Sequence, residues 1–143
     1  MKDCCCEDCV SACNNDPGRL IPEDLYRISD FLKITVKELI KEFIVFKMYE
    51  FKNHKIYIAA PAKLKGKRLL AVPGTIVQDY YEDENGRCIF LENNLCKIHK
   101  VKPFECSAYM GCQDSFLGKK YNANFVDSYF SAKWRTFPIN KFL

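Results

Sequence analysis

Apolar residues recur at helical spacing twice in the first third of the chain. Leu25, Ile28, Phe31 and Leu32 make one stripe. Pro22, Glu23 and Asp24 ahead of them suit a first helical turn, where proline gives up no needed donor and carboxylates meet the positive end of the dipole. Thr35 and Glu38 have capping-box spacing, and Ile34 is placed to staple against Leu39 or Ile40, so a second helix is predicted over Val36 to Lys47. Its apolar positions, Val36, Leu39, Ile40, Phe43, Ile44 and Phe46, are numerous enough that neighbouring elements must cover most of its surface. The two helices are expected to form a hairpin with a minimal connection.

Further on the period changes. Lys55 to Ala60 is short and rich in β-formers, which predicts a strand. Lys63-Leu64-Lys65-Gly66-Lys67-Arg68 is expected to be a solvated basic loop, and Asn14 to Gly18 and Pro73-Gly74 are expected turns. Arg87 to Leu91 and Leu95 to Ile98, separated by Glu92-Asn93-Asn94, predict a small β-hairpin with one cysteine on each arm. Pro103 is expected to open a short helix that holds Cys106. Phe125, Val126, Tyr129, Phe130, Lys133 and Trp134 fit a core-facing stripe on a last helix from about Asn122 to Arg135. The predicted fold is α+β, mainly helical: one small domain over residues 1–143, with a helical hairpin and a short β-hairpin.

The chain of 143 residues is 48% hydrophobic and 14% aromatic, enough for a real core without covalent staples. A net charge of +4 is weak evidence for a polyanionic partner, and the basic segment has no interleaved aromatic platform, so nucleic acid is not expected. Met1-Lys2-Asp3 runs into cysteine with no apolar leader, and no stretch approaches the length of a membrane span. The expectation is a soluble, cytoplasmic protein.

The nine cysteines change the picture most. They fall in two bunches, Cys4, Cys5, Cys6, Cys9 and Cys13, then Cys88, Cys96, Cys106 and Cys112. Their odd number and a reducing compartment disfavour a disulfide framework. A metal ion or iron-sulfur cluster, by contrast, needs about four thiolates converging on one point. In the first bunch Cys6, Cys9 and Cys13 lie within two turns of chain, with Cys5 as a further option. In the second, a hairpin can set Cys88 beside Cys96, and the helix after it can swing Cys106 onto them. The metal site is therefore expected to join both ends of the chain through Cys5, Cys6, Cys9, Cys13, Cys88, Cys96 and Cys106.

The second bunch reads Gly86-Arg87-Cys88-Ile89-Phe90-Leu91, Cys96-Lys97-Ile98-His99 and Pro103-Phe104-Glu105-Cys106. With Cys5 or Cys6, Cys9 and Cys13 ahead of it, this resembles the YkgJ family of cysteine-cluster proteins, a zinc- or iron-chelating domain. Ile21 to Ile28 is similar to the helix start that follows that family's first cluster. Ala12 stands where the family's third cysteine belongs, which removes one donor. The resemblance spans Cys5 to about Tyr109.

His99 follows Cys96 by three residues, but the family position is commonly tyrosine, which favours packing over ligation. Cys4 and Cys112 stay open as ligands or spare thiols. His54, in a polar stretch, is expected at the surface. A 4Fe-4S cluster is favoured over Zn2+ because sulfur is in excess around one site. With no acid/base or nucleotide motif, the expected role is non-catalytic: a redox, metal-handling or assembly component acting with protein partners. One alternative is a structural zinc module for protein contacts, with Tyr57, Tyr80 and Tyr81 as anchors. The other, by analogy with larger proteins, is an enzyme domain associated with protein methylation.

Overall fold

In a computed structural model, described for residues 18–51, 53–77, 85–93, 95–101, 103 and 123–142, and by backbone alone at 51, 54 and 123–128, the chain begins as its sequence pattern predicts. Helix α1 is Pro22–Leu32. Proline opens it, and the buried carboxylate of Asp24 accepts the Ile21 backbone N–H at 2.9 Å. Lys33, at φ 59°, ends it in the left-handed region. Helix α2, Val36–Phe43, has the expected capping box: Glu38 N–H donates to Thr35 Oγ1 at 3.1 Å, and Thr35 N–H to Glu38 Oε1 at 3.3 Å. The two helices pack together.

The second helix stops short of its expected end at Lys47. Strand β1 takes over at once, Ile44–Phe51, paired antiparallel with β2, His54–Pro61, through eight residues from Ile44↔Pro61 to Phe51↔His54. Ile44, Val45 and Phe46 fit a helical stripe, but they are β-branched or aromatic and have a complementary strand waiting. Helix propensity loses to that tertiary pairing. Asn53, at φ 66°, makes the reversal between the strands. The other edge of β1 is used as well. Phe46 N–H donates to Thr75 O at 3.0 Å and Val77 N–H to Phe46 O at 2.9 Å, a parallel bridge that makes β1 central. Gly74, at φ 83°, lets this segment pass close to the backbone of Lys41.

The expected mainly helical architecture is thus corrected. Among the described residues there are three α-helices against seven strands in three small sheets. The basic segment is also not a loop: β3 (Lys63–Lys65) and β4 (Arg68–Leu69) form a tight hairpin around Gly66, and β3 pairs on its other side with β5 (Arg87–Cys88). The third sheet is β6 (Leu91–Glu92) against β7 (Leu95–Cys96).

Helix α3, Ala123–Arg135, closes the core by packing on β2. Its Phe130 and Trp134 are buried as expected, and the Trp134 indole N–H donates to Leu20 O at 2.7 Å. The core joins Leu25 and Ile28 of α1, Leu39 and Ile40 of α2, and Phe46 of β1 to Phe90, Leu91 and Ile98. Among the described residues no helix is long and apolar enough to cross a membrane. The expected Asn14 turn and the Pro103 helix carrying Cys106 lie outside the described residues, apart from Gly18 and Pro103 themselves.

Candidate metal centre

Two of the predicted donors sit on short strands of two different sheets that pack against one core. Cys88 ends β5 and is buried, whereas Cys96 ends β7 and is half-buried. Both are free of disulfides. Their positions follow from local bonding: Ile89 N–H donates to Ala62 O at 3.0 Å, tying the end of β5 to the start of β3, and Lys97 N–H donates to Phe90 O at 2.8 Å. The Arg87 guanidinium bonds Leu91 O across the intervening turn. Phe90 then anchors the turn in the core, stacked on Phe43 at 5.3 Å between ring centres.

This differs from a single hairpin with a cysteine on each arm. Arg87–Cys88 finds its ladder partner in β3, so the hairpin proper is only β6–β7, and it carries Cys96 alone. Leu91 faces Cys96 across it, three residues after Cys88, so the two thiols still come from adjoining segments. The Lys97–Glu92 ion pair across the hairpin, 3.2 Å, is largely exposed and adds little.

His99 lies in a single 3-10 turn, His99–Val101, that packs on α1, and is 8% exposed. That placement suits the packing role. His54 opens β2. Cys5, Cys6, Cys9, Cys13 and Cys106, together with Cys4 and Cys112, lie outside the described residues. Among the described residues no three of His, Cys, Asp and Glu come together as a ligand set. As donor chemistry, two thiols outside any disulfide suit a soft metal.

The family model for CxxCxxCC, described as a "putative zinc- or iron-chelating domain", matches residues 5–124. The chain belongs to this family. The match takes in every cysteine of the CxxCxxCC chain except Cys4, and stops at the start of α3. No curated protein and no solved structure matches the chain.

Sequence reasoning missed the lysines. Lys63 is 1% exposed and Lys47 5%, although the first lies in a run that reads as solvated. The alternation Lys63-Leu64-Lys65 signals a strand in place of a loop, but not which lysine is buried. Gly86 lies against Lys63, and a methyl group at Gly86 would stand 2.8 Å from Lys63 Cβ.

Proposed function

We propose that the protein binds a 4Fe-4S cluster through four thiolates drawn from both ends of the chain, from among Cys88, Cys96 and Cys106 at one end and Cys5, Cys6, Cys9 and Cys13 at the other. On this reading it serves in the cytoplasm as a non-catalytic redox, metal-handling or assembly component. The observation that carries the reading is a pair of cysteines outside any disulfide, Cys88 and Cys96, on short strands against one core inside the family's chelating stretch. An excess of sulfur over four donors favours a cluster over one closed zinc shell. A protein partner is supported by apolar side chains left outward on one segment, Leu69, Val72 and Ile76, with Val72 68% exposed.

A structural zinc ion is the second reading. It is favoured by the two-residue length of β5, β6 and β7, which gives this region few ladder bonds of its own.

Anaerobic purification and metal analysis decide between them. About four irons with matching acid-labile sulfide per chain supports the cluster and about one zinc the structural site. Neither metal, after reconstitution with each, sinks both. Cys88→Ser is expected to remove most of the bound metal.

A further inference from the structure

One cavity has no part in the cysteine chemistry. It measures about 260 Å3 and lies where α3 packs on β2, between Lys55, Ile56 and Tyr57 of the strand and Trp134, Arg135 and Phe137 at and just past the end of the helix. Successive strand residues point to opposite faces, so a cavity that takes in three in a row opens at the edge of β2. That edge carries backbone groups. Phe46 turns its N–H and C=O away from β2, toward Thr75 and Val77, and its ladder partner Ala59 turns its C=O away from β1, toward the Leu20 N–H at 2.8 Å. By the alternation of an antiparallel ladder, the N–H and C=O of Tyr57 and Lys55 face the same outer edge, along which no described strand pairs. The side-chain walls divide by chemistry. Trp134 meets Phe137 edge to face at 4.8 Å, and Phe137 stacks on Phe142 at 5.4 Å, so the aromatic wall is held in place. The charged residues on the cavity, Lys55 and Arg135, are both cations and both exposed. Among the described residues neither has an ion pair: Glu50, the ladder partner of Lys55, makes none with it and does not line the cavity. Arg135 ends α3, whose last carbonyls carry about half a negative charge. Two full positive charges exceed that.

We propose that this cavity binds a small organic anion with a flat apolar body, of the aromatic carboxylate or sulfonate class. Trp134 and Phe137 supply the surface for the ring, Lys55 and Arg135 the opposing charge, and the outer-edge N–H of Tyr57 a donor whose position the ladder fixes. The volume lies just below the roughly 300–1,000 Å3 of ordinary ligand sites, which favours one or two rings over a nucleotide-sized cofactor. The site is independent of the metal reading. No cysteine lines it, and Trp134, Arg135, Phe137 and Ile139 lie past the residues that match the family.

The test titrates the full chain with 8-anilinonaphthalene-1-sulfonate and follows energy transfer to the dye from Trp134, the chain's only tryptophan. Saturable binding is expected, with displacement by benzoate and none by benzamide, which keeps the ring and lacks the charge. Lys55→Gln with Arg135→Gln should weaken the dye by roughly tenfold, the sum of two modest, solvent-screened charge contacts. Lys65→Gln, an exposed lysine on another sheet, should leave affinity unchanged. A parent that takes up no dye saturably overturns the proposal, as does a double variant that binds like the parent. Equal displacement by benzamide and benzoate would mean that the cavity reads the ring alone, which overturns the anion assignment. If the double variant does not fold, each single substitution is expected to lose about threefold, and a single variant with the parent's affinity defeats the proposal in the same way.

Discussion

The β1–β2 ribbon and the cysteine-bearing strands are built on opposite terms. The ribbon pairs eight residues with eight, uses both edges of β1, and buries Ile44, Val45 and Phe46 completely. The strands that carry Cys88 and Cys96 are two residues long. A ribbon of that length fixes its own register, because a slip would break the match of eight paired residues and move large buried side chains such as Phe46 out of their packing. A two-residue strand has no such protection. What locates it is the set of side chains sent into the common core, Phe90, Leu91 and Ile98. The difference teaches that one region is specified by ladder and packing, while the other leaves room for an ion to complete its order.

The largest effect should come from the ribbon. Phe46 is fully buried and meets Trp134 edge to face at 6.2 Å between ring centres. Phe46→Ala is expected to cost about 3–5 kcal/mol in urea unfolding, and to loosen both regions because the core is shared. Loss of hydrogen-exchange protection in the ribbon alone would show that the two regions are separate cooperative units.

Next comes Gly86→Ala. Its new methyl would press on Lys63 Cβ, which cannot rotate away, and on Leu70 Cδ1, which can. Overpacking of this kind costs about 1–3 kcal/mol. The damage should fall on β3 and β5 and leave the amide of Phe46 as protected as before.

Removing bound metal sharpens the contrast further. The amides of Ile89 and Lys97, bonded to Ala62 O and Phe90 O, are expected to exchange about tenfold faster after chelation, equivalent to about 1.4 kcal/mol. Those of Phe46 and Val77 should not change. Equal acceleration at all four would mean that the ion holds the whole domain, and that the ribbon is not self-sufficient.

The same contrast explains what could be read from the sequence. Pro22 and the Thr35–Glu38 pair set helix starts through bonds between residues three apart, and both were legible. The end of α2 was not, because Ile44 to Phe46 fit either period and the deciding partner, Ala59 to Pro61, is supplied by another segment. The cysteine pattern was legible, and the family it resembles is the one whose model matches residues 5–124. The pairing of Cys88 with Lys63 was not, since nothing local tells an inward lysine from an outward one in Lys63-Leu64-Lys65.

The smallest expected effect lies where the chain runs past the family match. Lys133 of α3 donates to Glu23 Oε1 of α1 at 2.8 Å, joining residues 110 apart in sequence. Partial burial alone would push the Glu23 carboxyl up, but the hydrogen bond and charge of Lys133 outweigh it and hold the group below the usual carboxylate range. The bond to Glu23 in turn raises Lys133 above the usual lysine value. The signs follow from linkage. A carboxyl lowered in the folded state stabilises above its unfolded value, and that contribution fades as pH falls through the lowered one. The lysine's share is present below its unfolded value and fades as pH rises through the raised one. Both side chains are well exposed, 52% and 36%, so solvent and salt screen the pair strongly. Glu23→Gln should therefore lower the urea midpoint slightly at about pH 7, by an amount that shrinks as acid protonates the lowered carboxyl of the parent. A difference that persists in acid would assign the effect to packing at the α1–α3 contact instead of to charge.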